Sequence, residues 1–147
     1  MAKTTRLAGQ TAIVCGGSKG IGLATAAEVV RRGGSVAVVA RGNGSLETAV
    51  EGLQALVHES SQYVDAIQAD AANRGEIGPK LEAFMERRGV PTYLINAVGY
   101  AGPDYVNNLG LDEFRQHMDI NYYGQLIPTL VVLPHLVQAG RGHIAFV

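Results

Sequence analysis

Cys15-Gly16-Gly17-Ser18-Lys19-Gly20-Ile21-Gly22 is the segment whose residue types and spacing speak most directly of chemistry. It follows an apolar run, Thr11-Ala12-Ile13-Val14, and opens a helical pattern from Ile21 to about Arg32. Glycines at 16, 20 and 22 let backbone N–H groups approach a ligand closely, and a helix N-terminus favours negative charge. A strand that turns through glycines straight into a helix is a phosphate cradle. The alternative is a tight strand–helix turn with no ligand. A second cluster of charge lies at the end of the next apolar run, Val39-Ala40-Arg41. Dinucleotide binders that take NAD carry an acid about 20 positions after the glycines, and those that take NADP carry an arginine nearby. No acid stands at this tip. A 2′-phosphate would meet Arg41, Lys19 and Ser18 together, with charge-assisted bonds available. NADP(H) is therefore the expected cofactor; two solvated surface cations are the alternative.

These residues need a scaffold, and the chain alternates apolar runs with helical patterns throughout. Strands are expected at Thr11–Val14, Ser35–Ala40, Asp65–Ala69, Thr92–Asn96 and His143–Val147. Helices are expected over about Ile21–Arg32, Leu46–Ser60, Glu76–Arg88 and Asp112–Gln138. Gly33-Gly34 and Gly89 stand where helices end. Ser45 is a good N-cap after the turn Gly42-Asn43-Gly44. The alternation predicts an α/β fold with a doubly wound parallel sheet, a Rossmann arrangement. Pro128 and Pro134 lie inside the last helical pattern and predict a kink or break there.

At 147 residues the chain reads as one domain, residues 1–147. A chain of this size buries roughly 70% of its unfolded surface. Its net charge is −1, with no block of like charges, which argues against nucleic acid or anionic membranes held by bulk electrostatics. The single cysteine excludes an internal disulfide framework and fits a cytoplasmic setting. Residues 1–10 hold no apolar core long enough for a signal peptide. The richest apolar stretch, Leu126 to Val137, is interrupted by Pro128, Thr129, Pro134 and His135 and does not reach a membrane span. His117, His135 and His143 are not spaced as metal ligands, so no metal site is expected. His58 reads as a solvated helix residue. Asp104, Asp112 and Glu113 read as caps and solvating charges. Tyr100 and Tyr105, in the loop from Gly99 to Gly110, suit contact with a substrate or packing within the loop.

Four motifs in order resemble the short-chain dehydrogenase/reductase family over essentially the whole chain. Cys15–Gly22 matches the family's T-G-x-x-x-G-I-G turn except at Cys15. Asn96-Ala97-Val98-Gly99 is similar to its N-N-A-G segment, with Val98 bulkier than the usual alanine. Asp70-Ala71 stands where the family has an aspartate and a small residue touching adenine. Asn121 stands where the family's catalytic asparagine interrupts the long helix. The resemblance implies cofactor contacts at Gly16, Ser18, Lys19, Gly20, Ile21, Gly22, Arg41, Asp70, Ala71, Asn96, Ala97 and Gly99, and a catalytic role for Asn121. Asp70 also fits an ordinary turn residue, and Asn96 also fits a strand end that satisfies nearby backbone.

The family's chemistry also uses a serine after the fifth strand and a Tyr-x-x-x-Lys pair, with tyrosine as general acid. No Tyr-x-x-x-Lys occurs here. The resemblance therefore implies the amino-terminal half of a longer ketone reductase, its sheet stopping after the fifth strand. The 147 residues alone are then expected to be inactive. The alternative is a short nucleotide-binding or sensing protein. Val39-Ala40-Arg41 and Met118-Asp119-Ile120-Asn121-Tyr122-Tyr123-Gly124 look most like the branch that reduces 3-ketodihydrosphingosine. That implies a small-molecule ketone with a long lipid chain, work near the cytosolic face of a membrane, and a homo-oligomer. A generic 3-oxoacyl or steroid reductase is the rival.

Overall fold

The computed structural model describes residues 7–147. Residues 1–6, the head of the segment read as lacking a signal peptide, lie outside the described residues. The strands are β1 Thr11–Cys15, β2 Ser35–Ala40, β3 Val64–Gln68, β4 Tyr93–Asn96 and β5 His143–Phe146. The helices are α1 Gly20–Arg31, α2 Asn43–Gln54, α3 Arg74–Arg88, α4 Leu111–Met118 and α5 Gly124–Ala139. A short 3-10 turn spans Val106–Asn108, and a π-helical segment, Asp119–Tyr123, joins α4 to α5.

All strand pairings are parallel, in the order β3-β2-β1-β4-β5. The chain runs outward from β1 to β3 on one side, then returns to place β4 on the other. The order reverses between β1 and β4, and ligands of such sheets bind outside the carboxyl ends of the strands at that point.

The continuous apolar runs of β1 and β2 follow from cover on both faces. Ala12, Val14, Val36 and Val38 pack against Val29 and Val30 of α1 and Leu46 and Leu53 of α2. Ile13, Cys15, Ala37 and Val39 point the other way, onto Ile77, Leu81 and Phe84 of α3 and Val132 and Leu136 of α5. The alternation is the period of two that a strand imposes. Burial of such a side chain contributes about 1.5–3 kcal/mol. Burial also pushes the Cys15 thiol up to about 12.

Most strand and helix ends fall within two residues of the expectation, and the larger shifts are at the two ends of α2. Helix α2 starts at Asn43 rather than Leu46, with Gly42 as its N-cap, so Ser45 is not the cap. Its hydroxyl instead donates back to the Gly42 carbonyl at 3.1 Å. The same helix ends at Gln54 rather than Ser60. The reason is Gln62, a buried side chain whose Oε1 accepts from the backbone N–H of His58 and Glu59. Its Nε2 donates to the carbonyls of Val30 and Gly34. The segment 58–62 is thereby tied as a turn, and His58 lies in it rather than in a helix.

The long helical pattern is interrupted, but not at the prolines. Pro128 and Pro134 both sit inside α5, and the break is the wide turn Asp119–Tyr123 ahead of them. Pro128 brings no N–H to the Gly124 carbonyl, and the π segment lies immediately before it, where such interruptions are accommodated.

At the far edge of the sheet Asp65 accepts from Arg87 at 2.9 Å and from Arg88 at 3.0 and 3.1 Å. The Arg88 guanidinium also lies 4.0 Å from the Tyr63 ring centroid. Partial burial pushes the Asp65 carboxyl up, and the bonds from Arg88 and Arg87 more than offset it, holding it below its ordinary value. A depressed carboxyl stabilises the fold above its unfolded pKa of about 3.9 and stops doing so as pH falls through the lower folded value. Asp65→Asn is therefore expected to lower the urea midpoint at pH 7 and to flatten the loss of stability below about pH 4. Parallel urea titrations at pH 7 and pH 3 check this; an unchanged pH slope would refute it.

Candidate functional site

A cleft of about 450 Å³ opens at the carboxyl ends of the strands, where the strand order reverses. Its floor is the turn between β1 and α1. Gly16, Ser18, Lys19, Gly20 and Ile21 all line it. The turn is held by backbone bonds: the N–H groups of Gly16 and Gly17 donate to the Val39 carbonyl at 2.9 and 3.3 Å. On the other side the Ala97 N–H donates to the Cys15 carbonyl at 2.8 Å.

Three glycines of the turn are dictated by space: at Gly17 an added Cβ would lie 2.9 Å from the Val14 carbonyl oxygen and 2.8 Å from Val38 Cγ1, and Gly16 and Gly22 are tighter still. Gly16 has φ +77, and an added Cβ would lie 2.5 Å from the Ala97 carbonyl oxygen. Gly22 does not line the cleft; an added Cβ there would run into the Gly16 carbonyl. The first turn of α1 holds no acidic residue, and its N-cap, Lys19, makes no side-chain cap bond. Its leading N–H groups therefore face the cleft without a side-chain partner, as an anion site requires.

The remaining walls come from the other strand ends. Arg41 closes the cleft beyond β2, and Asp70 and Ala71 line it beyond β3. Asp70 is also a turn residue, as its alternative reading had it: Oδ1 accepts from the Ala72 N–H at 2.9 Å. Ala97 and Gly99 line the cleft beyond β4, together with Val98 and Tyr100. The bulk of Val98 is taken up by Gly124, where an added Cβ would lie 3.0 Å from Val98 Cγ1.

Besides Gly22, two further expected site residues, Asn96 and Asn121, stand off the cleft wall. Asn96 is fully buried beneath the strand ends. Its Nδ2 donates to Thr129 Oγ1 at 2.9 Å, and its Oδ1 is a buried acceptor without a partner. Asn121, in the π segment, grips the loop after β4: Oδ1 accepts from the Tyr100 N–H at 2.8 Å and Nδ2 donates to the Tyr100 carbonyl at 2.9 Å. Val39, Ile120 and Val147 line the cleft without having been singled out. They are plain aliphatic residues, and only their positions at the strand ends and beside Asn121 mark them.

The arrangement of glycine turn, reversed strand order and cleft is the geometry of a dinucleotide site. The family model described as short chain dehydrogenase matches residues 10–147. The chain belongs to the short chain dehydrogenase family. It is 28% identical over 146 residues to a 3-dehydrosphinganine reductase of Danio rerio, covering 99% of this chain and 44% of that one. It is 31% identical over 138 residues to a 2-(R)-hydroxypropyl-CoM dehydrogenase of Xanthobacter autotrophicus, covering 92% of this chain and 54% of that one. A short-chain type dehydrogenase/reductase from Mycobacterium ulcerans has the same fold, with a TM-score of 0.88 at 23% identity over 95% of this chain and 51% of its own. The chain thus spans about half the length of the curated relatives it matches.

Members of the short chain dehydrogenase family are oxidoreductases that use nicotinamide dinucleotides. The cradle fits that group on its own evidence: three glycines without room for a Cβ, an uncapped helix N-terminus and cations on the same cleft. Among the described residues no helix is long and apolar enough to cross a membrane.

Proposed function

We propose that this cleft binds NADPH and that the chain is the cofactor-binding part of a ketone reductase. The observation that carries the choice of phosphate is that Arg41, Lys19 and Ser18 line one cleft with no carboxylate at the end of β2. The pyrophosphate would lie over the N–H groups of Gly20 and Ile21, and Asp70 would face the adenine. Asn96 would support the β4 end from below. Asn121 would fix the loop after β4 and so the far end of the cleft, in the catalytic position that the family resemblance gives it. When bound, the nicotinamide would supply hydride, and these residues would hold and orient the dinucleotide.

The substrate in this proposal is a long-chain ketone of the 3-ketodihydrosphingosine kind, supported by similarity to a 3-dehydrosphinganine reductase. A cytoplasmic setting beside a membrane belongs to the same proposal. So does self-association, which Leu130, Leu133 and Val137, left exposed along α5, support. Turnover of 3-ketodihydrosphingosine against acetoacetyl thioesters by a protein carrying this chain with the family's serine, tyrosine and lysine separates the lipid reading from a 3-oxoacyl one.

The cofactor is tested on the chain itself by thermal-shift titration. Ligands that bind only the folded state raise the melting temperature with concentration. NADPH and 2′,5′-ADP are expected to raise it, and NADH to do so at much higher concentration. Equal shifts with NADH and NADPH would overturn the 2′-phosphate assignment.

A further inference from the structure

Helix α4 is exposed along its length except at one side chain. Leu111, Asp112, Glu113, Phe114, Arg115, Gln116 and Met118 are exposed, and His117 alone is half-buried. Its Nδ1 lies 2.7 Å from the carbonyl oxygen of Glu113, one turn back on the same helix. A carbonyl only accepts, so Nδ1 carries the proton. That leaves Nε2 with a lone pair, and the Gly102 N–H donates to it at 3.3 Å. The imidazole also packs against the Tyr100 ring, with centroids 5.2 Å apart. The Tyr100 ring in turn fills the space beside Gly102, where an added Cβ would lie 2.8 Å from the phenol oxygen.

Asn121 stands one helical turn beyond His117 and holds both backbone groups of Tyr100. The loop after β4 is thus fastened at two points. Asn121 fixes the Tyr100 backbone; His117 fixes the Tyr100 ring and the next bend at Gly102. Tyr100 lines the cleft, and so do Gly99 before it and Ile120 next to Asn121. In the sheet, β2 with Arg41 and β4 with Tyr100 lie on opposite sides of β1. Tyr100 therefore stands at the end of the cleft away from Arg41.

We propose that His117 is a positioning residue for that far end, holding Gly99 and Tyr100 in place for the nicotinamide half of the dinucleotide through its neutral, Nδ1-protonated form. The inference rests on the reading of the cleft as an NADPH site. It predicts a split between ligands of different length. 2′,5′-ADP reaches only the Arg41 end, whereas NADPH reaches both ends.

The test compares His117→Leu and His117→Gln with the unaltered 147-residue chain. Gln places an oxygen acceptor near the position of Nε2; Leu fills the space with no acceptor. His117→Leu is expected to weaken NADPH binding about fivefold, the equilibrium factor of one neutral hydrogen bond, and to leave 2′,5′-ADP binding unchanged. His117→Gln is expected to restore most of the NADPH affinity. In the ligand-free chain, amide exchange at Gly102 should speed up in His117→Leu and be slowed again in His117→Gln. Nitrogen NMR of the imidazole should show the Nδ1–H tautomer. Equal loss of both ligands in His117→Leu, no rescue by Gln, or an Nε2–H tautomer would each overturn the proposal. If neither ligand binds the unaltered chain, the NADPH reading fails, and with it the role of His117; the Gly102 exchange then shows whether the fastening itself exists.

Discussion

A Gly16→Ala chain is expected to melt about 10 °C lower and to lose measurable affinity for NADPH. Three backbone atoms stand in the way of the new methyl group: the Ala97 oxygen at 2.5 Å, the Ala97 carbon at 2.7 Å and the Val98 nitrogen at 2.8 Å. None is the free end of a side chain that could swing aside. Relief requires β1 and β4 to part where they are paired, at Cys15 and Asn96. The left-handed φ of +77 adds about 1 kcal/mol for any residue with a Cβ. Overpacking of this kind costs about 1–3 kcal/mol, and the two together give the stated shift for a domain of this size. Gly20→Ala is the internal control. Its φ is +57, but nothing lies within 4 Å of an added Cβ, so only the conformational cost remains. Melting curves followed by circular dichroism should rank unaltered chain, Gly20→Ala and Gly16→Ala in falling order. Equal losses at 16 and 20 would mean that the close approach of β4 is not what selects glycine.

Arg41→Asp is expected to shift the ratio of NADPH to NADH affinity by about 100-fold toward NADH. Hydrogen bonds to charged groups are worth about 1.5–3 kcal/mol each, and the substitution both removes a cation and sets a carboxylate against a 2′-phosphate. The same carboxylate can accept from a free 2′-hydroxyl, which raises NADH affinity. Arg41 is exposed, so the fold should not suffer: the melting temperature without ligand is expected to move by less than about 2 °C. An unchanged affinity ratio, measured by fluorescence titration of both cofactors, would remove Arg41 from the site.

The order of strands and helices was legible because the apolar runs of β1 and β2 and the glycine turn leave little freedom. That Gly16, Ser18, Lys19, Gly20 and Ile21 of the β1–α1 turn share one cleft with Arg41 and Asp70 was equally legible, since the carboxyl ends of parallel strands converge where the strand order reverses. What escaped was decided by single side chains reaching across the molecule. Gln62 ends α2 early by taking two backbone N–H groups that a helix would otherwise use, and no local pattern announces it. Ser45 looked like a cap, yet the helix reaches back past it to Asn43. Pro128 and Pro134 suggested where the long helix would break, and the break came before them, at the segment that carries Asn121. Asn96 was expected on the cleft wall; strand alternation turns it toward Thr129 instead.

Cys15 lies directly under the cradle, fully buried, and is the only cysteine of the chain. A thiol pushed up to about 12 is almost wholly protonated at neutral pH and is shut away from any alkylating reagent. It can be modified only while β1 is separated from its neighbours. The rate at which an excess of iodoacetamide labels the chain is therefore a clock for the opening of the central strand, with no engineered probe needed. A ligand seated on the glycine turn would slow that clock in proportion to its occupancy.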